Sequence, residues 1–259
     1  MLADSNDIRR RLMEEIRGGP AWYHTIDLGD GLLTPGSYDH RPLLTQYSFP
    51  ERMNGMRVLD IGASNGFFSF EFERRGADEV VALDLRDWKE HDFPPETLER
   101  LKQQGFAERW QRNSKTRFEL VRDYLGSRVK KVEMTAYEIS RNRLGTFDLV
   151  FCGSLLMHLT NPIHALLGMK EVTKGKAIVS TGVDLTISQE GSLARFANRN
   201  DPTIWWIPNV TCLGEMLLAA GFMNPRQIST FELNRKDGTG GMSHAVYHAT
   251  CGLAEGSLT

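Results

Sequence analysis

Short apolar runs along the chain predict five buried strands, each separated from the next by a helical or irregular segment. Runs of this length without polar alternation are typical of strands covered on both faces of a sheet. They occupy residues 56–61, 80–84, 129–134, 146–152 and 177–181. Two further runs, 227–233 and 245–249, flank a glycine-rich turn and predict a closing antiparallel hairpin.

Helical spacing predicts helices between these strands. Ile8, Leu12 and Ile16 recur at four-residue intervals and predict a helix over 5–18, which the following glycines and proline end. The other predicted helices cover 67–75, 162–172 and 211–220. Strands that alternate with helices and end in a hairpin predict an α/β fold. Its sheet is doubly wound, mostly parallel and seven-stranded, with an antiparallel C-terminal hairpin.

Three segments have no clear helical or strand periodicity. Residues 20–50 are rich in aromatic residues, Gly and Pro, and predict an ordered loop. With the first helix they form an N-terminal lid segment, 1–50, ahead of one domain over 51–259. Residues 86–131 are charged and longer than a usual connection, so we predict a helical insertion over the sheet's edge. Residues 184–209 predict a second irregular loop.

Composition and charge narrow the functional classes. The chain has 259 residues, enough for one α/β domain, and a formal net charge of -2. It therefore lacks the basic surplus typical of non-specific nucleic-acid binding, which makes an RNA substrate less expected. Its three cysteines lack metal-ligand spacing and predict reduced thiols. No apolar run reaches the roughly 18 residues of a membrane span, and no signal peptide is apparent, so we expect a cytoplasmic protein.

The loop after the first buried strand carries the strongest chemical signal. In Asp60-Ile-Gly-Ala-Ser-Asn-Gly66 the glycines allow a tight turn and a close approach of the backbone to a ligand. The spacing differs from that of dinucleotide-binding loops, and the Lys-Ser/Thr of a phosphate-binding loop is absent. Asp84 ends the next strand, where a carboxylate can accept both hydroxyls of a ribose. The alternative is that these residues only build a turn and cap helices.

In this order the motifs resemble those of class I S-adenosylmethionine-dependent methyltransferases. The matching segments are Val58-Leu-Asp-Ile-Gly-Ala-Ser-Asn-Gly-Phe-Phe68, Ala82-Leu-Asp84 and Phe147-Asp-Leu-Val150. The resemblance implies a Rossmann-like fold, S-adenosylmethionine as cofactor, S-adenosylhomocysteine as product and no metal. It implies a cofactor site in three parts: Asp60, Gly62, Ala63, Ser64 and Gly66 at the methionine; Asp84 at the ribose, with Leu85, Met134, Thr135 and Ala136 near the adenine; Cys152, Gly153 and Ser154 under the sulfonium.

Other segments resemble, more narrowly, the tRNA wobble-uridine (mo5U34) methyltransferase-like family. They are Trp22-Tyr-His-Thr-Ile-Asp-Leu28, Thr34-Pro-Gly36 and Gly153-Ser-Leu-Leu-Met-His-Leu-Thr-Asn-Pro162. The tRNA enzyme of that family uses carboxy-S-adenosylmethionine and has a tyrosine where this chain has Met157. A methionine cannot donate a hydrogen bond to the extra carboxylate. Leu159-Thr-Asn161 also replaces basic residues, so we expect plain S-adenosylmethionine.

Histidines supply the candidate bases. Methyl transfer needs in-line approach and, for most nucleophiles, a group that takes a proton, and histidine suits this near neutral pH. His158 follows the fourth strand, at the sheet edge where open α/β folds bind substrates. His24 lies in the aromatic N-terminal loop, which could fold over the same opening. The alternatives are that the backbone satisfies His158 at a helix start and that His24 only packs its loop.

Aromatic residues in the two irregular segments are candidates for acceptor binding. Trp22, Tyr23, Trp205 and Trp206 could stack on a planar acceptor, or they could anchor their loops on the core. Asn209 follows at the end of the loop over 184–209, and we include it among the substrate-side residues.

We therefore predict methyl transfer to an O or N nucleophile of a small-molecule acceptor, with a histidine as the base. One alternative is a tRNA wobble-uridine methyl- or carboxymethyltransferase, and another is a non-catalytic cofactor-binding protein. The apolar pair Leu155-Leu156 and the N-terminal segment could contribute to a homodimer. No membrane partner is expected.

Overall fold

The computed structural model describes residues 5–18, 22–198 and 201–252. The strands are β1 (Trp22–His24), β2 (Gly36–Tyr38), β3 (Arg57–Ile61), β4 (Glu79–Asp84), β5 (Lys130–Glu133), β6 (Phe147–Gly153), β7 (Thr173–Gly182), β8 (Ala194–Phe196), β9 (Trp206–Pro208), β10 (Met223–Asn234) and β11 (Gly241–Thr250). The α-helices are α1 (Ser5–Gly18), α2 (Leu44–Tyr47), α3 (Phe67–Arg74), α4 (Pro95–Gln103), α5 (Phe106–Gln111), α6 (Phe118–Leu125), α7 (Arg141–Leu144), α8 (Pro162–Val172) and α9 (Val210–Ala219).

A seven-stranded sheet forms the centre of the protein, in the order β10-β11-β7-β6-β3-β4-β5. Strands β3 to β7 are parallel, and β11 is antiparallel to both of its neighbours. The predicted fold is therefore confirmed: a doubly wound, Rossmann-like sheet that ends in an antiparallel hairpin. Strand β7 is longer than predicted, because the polar residues at its start, Thr173 to Lys176, also pair with β6.

Each face of the sheet carries its own apolar core. Alternate residues of a strand point to opposite faces, so Leu59 packs with helices α8 and α9 while Val58 packs with α3 and the N-terminal segment. Both side chains are inaccessible to solvent. Burial on both faces explains why these strands are continuous apolar runs in the sequence.

The N-terminal segment shares the core on the α3 face of the sheet. Its two short strands pair in parallel, with Trp22 opposite Gly36 and His24 opposite Tyr38. A Cβ atom at Gly36 would lie 2.0 Å from the carbonyl carbon of His24, so only glycine permits this pairing. The aromatic loop predicted over 20–50 is thus held in place by close backbone contact.

The segment predicted as an insertion contains the ordinary crossover helix as well. α6 connects β4 to β5 and packs against α1, and Phe118 at its start is fully buried. The additional structure precedes it: α4, α5 and a π-helical stretch over Arg112–Arg117. The extra segment is therefore residues 86–117 rather than 86–131.

Among the described residues, no helix is long and apolar enough to cross a membrane. The expected dimer contribution of Leu156 is wrong, because this side chain is 2% exposed and packs in the core.

Candidate active site

The loop after β3 turns tightly into α3, and three of its residues adopt the left-handed backbone conformation. Gly62, Ser64 and Gly66 have φ angles of +80°, +50° and +91°. A Cβ atom at Gly66 would lie 2.4 Å from the ring of Phe70, so glycine is required there by space as well as by φ. At Gly62 the nearest atom to such a Cβ would be 3.7 Å away, on the side chain of Leu155, so glycine is required there by its positive φ rather than by lack of space.

Asp84 lies beside this loop, at the carboxyl end of β4. One of its carboxylate oxygens accepts the N–H of Ser64 at 3.0 Å, and the other accepts the N–H of Leu85 at 2.8 Å. Burial raises the pKa of Asp84, and the nearby Lys131 ammonium opposes this shift. Each oxygen keeps a lone pair for a further donor, as binding of two ribose hydroxyls requires.

Asp60 ends β3 and is buried, with 1% of its surface exposed. The hydroxyl of Ser69 donates to its carboxylate at 2.5 Å. Burial raises the pKa of Asp60 to about 7, and the negative charge of Asp84 adds to this effect. A cationic group bound at this position would favour the ionised form of Asp60.

The predicted adenine wall lies after β5. The backbone N–H of Met134 donates to the carbonyl of Asp84 at 2.9 Å, which joins the wall to the ribose side. Thr135 forms a capping box with Glu138, whose carboxylate accepts both its N–H and its hydroxyl. Thr135 and the buried Ala136 therefore shape this wall rather than offer free donors to it.

The residues at the end of β6 are those predicted to lie under the sulfonium of the cofactor. Cys152 is buried, and burial raises the pKa of its thiol to about 12, so the thiol is neutral at physiological pH. A Cβ atom at Gly153 would lie 2.7 Å from the ring of Phe151, so no side chain fits there. Ser154 has a φ of +53° and donates its N–H to the carbonyl of Ser180 at 2.8 Å.

His158 lies in a 3-10 turn that follows β6. Its Nδ1 is 2.5 Å from the carbonyl oxygen of Thr203. A carbonyl only accepts, so Nδ1 carries the hydrogen and Nε2 has the lone pair of the neutral ring. Burial lowers the pKa of His158, so the ring is neutral near pH 7.

His24 lies next to the cofactor loop, where its Nδ1 donates to the side-chain oxygen of Asn65 at 2.7 Å. Its ring packs against Phe67 and Phe68 at the start of α3. Burial lowers the pKa of His24 to about 4, so it is a weaker base than an ordinary histidine. Tyr23 beside it is 38% exposed.

Trp205 and Trp206, at the start of β9, lie against the turn that carries His158. Trp205 donates its backbone N–H to the carbonyl of Met157 at 2.8 Å and its indole N–H to the carbonyl of Asp92 at 2.5 Å. Trp206 donates its indole N–H to the carbonyl of Thr160 at 3.1 Å. The Asp92 carboxylate accepts the N–H and hydroxyl of Thr160. Both tryptophans therefore tie their loop down, and each remains partly exposed.

Two of the predicted substrate residues lie elsewhere. Trp22 is fully buried, donates to the carbonyl of Glu15 and packs under the guanidinium of Arg117 at 4.6 Å, so it anchors α1. Asn209 is also fully buried. Its oxygen accepts the N–H of Cys212 as the cap of α9, and its amide donates to two loop carbonyls. Neither side chain has a free group for an acceptor, so both predictions are wrong.

Sequence analysis missed three histidine contacts near the site. His244 on β11 is 1% exposed and lies 2.9 Å from the Ser154 hydroxyl. His40 is buried against His24, with ring centroids 5.3 Å apart, and its Nδ1 is 2.9 Å from the Tyr47 hydroxyl. No motif marks these residues, and the contact between Ser154 and His244 joins segments 90 residues apart in the sequence. Among the described residues, no three His, Cys, Asp or Glu side chains form a group that could hold a metal ion.

The described residues fit S-adenosylmethionine. Asp84 would hold the ribose, with each oxygen anchored on the protein and still able to accept a hydroxyl. Asp60 lies at the adjoining strand end, where a cation would favour its ionised form. Gly62 and Gly66 have the positive φ angles of the tight turn that brings the loop beside Asp84.

Comparison with known proteins agrees with this fit. A family model described as a methyltransferase domain matches residues 38–225. The tRNA U34 carboxymethyltransferase of Pseudomonas putida is 27% identical over 181 residues, which cover 67% of this chain and 48% of that protein. That of Azotobacter vinelandii is 26% identical over 181 residues, 67% of this chain and 47% of that protein. The chain thus spans about half the length of the curated relatives it matches.

Among solved structures, the N-terminal domain of EvdMO1, crystallised in the presence of SAH and D-fucose, has the same fold. The TM-score is 0.63 at 18% identity, with coverage of 96% of this chain and 97% of that chain. The family model covers most of the chain, including the glycine loop, Asp60 and Asp84. The chain therefore belongs to the methyltransferase domain family and is a class I S-adenosylmethionine-dependent methyltransferase.

Proposed function

We propose that the protein transfers a methyl group to an oxygen or nitrogen of a small-molecule acceptor and that His158 takes the acceptor's proton. One observation carries this proposal: the Thr203 carbonyl fixes the Nδ1–H form of His158 and leaves Nε2 unprotonated after the end of β6. Burial keeps the ring neutral, as a base must be.

Other features support a small acceptor. Trp205 and Trp206 hold their segment against the turn that carries His158, which limits the opening at the edge formed by the carboxyl ends of the parallel strands. The formal net charge of -2 supplies no general attraction for a polyanion. The D-fucose in the EvdMO1 crystal makes sugars a sensible part of the first acceptor set.

The cofactor supplies an electrophilic methyl group. Asp84 and Asp60 bind it from the ends of β4 and β3, and the glycine loop shapes the space between them. His158 then holds the acceptor's proton at Nε2, and the loop over 184–209 restricts water. His24, with its low pKa and its hydrogen bond to Asn65, suits packing of the lid against the cofactor loop better than proton transfer.

The test is an acceptor screen that follows formation of S-adenosylhomocysteine, with sugars, phenols and amines as acceptors. His158→Gln should lower kcat about 100-fold, the usual contribution of a positioned base, and leave the Kd for S-adenosylmethionine unchanged. His164→Gln is the matched control, because His164 is an exposed residue six positions along the same segment. A His158→Gln enzyme with wild-type kcat would refute the assigned base.

A second candidate function is tRNA wobble-uridine modification. The similarity to tRNA U34 carboxymethyltransferases supports it. Met157 argues against the carboxylated cofactor, because its side chain is buried beside Gly182, where a Cβ atom would lie 2.8 Å from its sulfur. It has neither a donor nor free space for a carboxylate.

Calorimetric titration with S-adenosylmethionine, S-adenosylhomocysteine and carboxy-S-adenosylmethionine separates the two functions. We expect micromolar binding of the first two and weak binding of the third. A clear preference for the carboxylated cofactor, together with association with tRNA at low salt, would favour the second function.

A further inference from the structure

A hydrogen-bonded pair, the half-buried Ser154 and the buried His244, connects the end of β6 to the C-terminal hairpin. The Oγ of Ser154 lies 2.9 Å from Nε2 of His244. His244 is 1% exposed, and the ring of Phe231 stacks on it at 5.6 Å. The two residues meet across β7, which lies between β6 and β11 in the sheet and pairs Gly182 with His244.

The hydrogen bonds determine which atom of this pair donates. Nδ1 of His244 lies 3.0 Å from the carbonyl oxygen of Met242, which can only accept. Burial lowers the pKa of His244, so the ring is neutral and carries its single hydrogen on Nδ1. Nε2 is therefore an acceptor, and the hydroxyl of Ser154 must donate to it.

The direction of the Ser154 side chain is also fixed. Its backbone is left-handed, with a φ of +53°, and its N–H is bonded to the carbonyl of Ser180 on β7. Because the one hydrogen of the hydroxyl is used by His244, the oxygen can offer only lone pairs to a ligand. Ser154 thus acts as an oriented hydrogen-bond acceptor.

His158 offers a lone pair of the same kind, on Nε2. The turn that carries it lies close to β11, because the sulfur atoms of Met157, the residue before it, and of Met242 on β11 would both lie within 3 Å of a Cβ atom at Gly182. Two acceptor atoms therefore come from one short segment after β6, Ser154 Oγ and His158 Nε2. A ligand bound at this edge of the sheet must supply two hydrogen-bond donors; otherwise one of the two acceptor atoms of the protein remains unpaired.

We propose that Ser154, held by the positioning residue His244, binds a second hydrogen-bond donor of the methyl acceptor, either on the atom that reacts or on the group next to it. The favoured substrates are polyols with neighbouring hydroxyls and primary amines. Carboxylate and phosphate nucleophiles are disfavoured, because their lone pairs would face those of the protein. This inference rests on the proposed methyl transfer to a small molecule and specifies its substrate class.

The first test needs no acceptor. Nitrogen-15 NMR of the histidine rings in the protein bound to S-adenosylhomocysteine should show His244 as the neutral form protonated on Nδ1. Ser154→Ala should shift the Nε2 resonance of this ring and leave that of His164 unchanged. A hydrogen on Nε2 of His244, or a charged ring at pH 7, would overturn the proposal.

The second test compares two acceptors in each enzyme. The probes are the best acceptor from the screen and its analogue with the neighbouring hydroxyl or N–H replaced by methoxy or hydrogen. In the wild type the analogue should have a kcat/KM about tenfold lower, equivalent to about 1.4 kcal/mol. In Ser154→Ala the two acceptors should be equal, and Ser154→Gly, which suits the left-handed backbone, provides a second variant.

Two variants of His244 then test its positioning role. His244→Gln can still accept the Ser154 hydrogen and should keep most of the discrimination, whereas His244→Leu should lose it. Equal discrimination in the wild type and Ser154→Ala, or a carboxylate as the best acceptor, would overturn the proposal. If no acceptor turns over at all, the proposed function fails, and the NMR result alone then decides whether the pair has the stated geometry.

Discussion

Replacement of Asp84 by asparagine tests the cofactor site most directly. The aspartate accepts two backbone N–H groups, from Ser64 and Leu85, and the proposed ribose contacts would add two hydroxyl donors. An asparagine has one oxygen and one NH₂ group, so its nitrogen would face donors where the carboxylate accepts. The variant therefore keeps the shape of the site and removes half of its hydrogen-bond acceptors.

The expected magnitude follows from these bonds. A hydrogen bond to a charged group is worth about 1.5–3 kcal/mol. Loss of one ribose hydroxyl contact in Asp84→Asn should therefore raise the Kd for S-adenosylmethionine by about 10- to 150-fold. Folding should be affected less, because burial already raises the pKa of Asp84 and the neutral amide carries no charge to desolvate.

Calorimetric titration of the wild type and the variant measures this effect, with circular dichroism to show that the variant is folded. Asp78→Asn is the matched control: Asp78 precedes the opposite end of β4, is exposed and accepts only the N–H of Gly55. Its Kd should equal that of the wild type. A folded Asp84→Asn protein that binds within threefold of the wild type would refute the assignment of this carboxylate to the ribose.

Three further predictions follow from burial and charge. Because burial raises the pKa of Asp60 to about 7, affinity for the cationic cofactor should rise up to tenfold per unit from pH 6 to 7 and level off above pH 8; an equal Kd at pH 6 and 8 would contradict this. In urea unfolding, Asn209→Ala should lower the free energy of unfolding by about 2–3 kcal/mol, and Asn161→Ala, which removes an exposed helix cap, should lower it by about 1 kcal/mol. Similar losses in the two variants would show that the hydrogen bonds of Asn209 to the loop carbonyls contribute little. Trp22→Ala should lose about 3–5 kcal/mol and Tyr23→Ala much less, and the reverse order would refute the anchoring role of Trp22.

The elements that could be predicted are those whose signal is local. Helix α8 over Pro162–Val172 matches its prediction, because proline at its start and a continuous apolar face both appear in the sequence. The insertion shows the limit. Its charged residues indicate helix, but whether a helix is extra or is the crossover depends on what it packs against, and α6 packs on α1, about 100 residues away in the chain.

The cofactor half of the site follows the same rule. Gly62 follows β3, Gly66 precedes α3 and Asp84 ends β4, so their predicted roles rest on a strand, a turn and a helix that are adjacent in sequence. Trp22 and Asn209 were misassigned because an aromatic or amide residue in a loop has the same sequence signature whether it meets a ligand or the core. Only the partners decide, here the Glu15 carbonyl for Trp22 and two loop carbonyls for Asn209.

The acceptor half depends on contacts that no local pattern encodes. Ser154 and His244 are 90 residues apart and meet only because the closing hairpin returns β11 to the centre of the sheet beside β7. The strand pairing of β11 uses backbone groups, so we expect that the side chain at the position of His244 can change while the pairing with β7 is kept. A methyltransferase can therefore keep its cofactor site and change its acceptor by exchanging one inward-facing residue of the last strand. If so, His244→Leu should bind S-adenosylmethionine as tightly as the wild type while it loses its preference among acceptors, and a parallel loss of cofactor binding would show that the two halves are not separable.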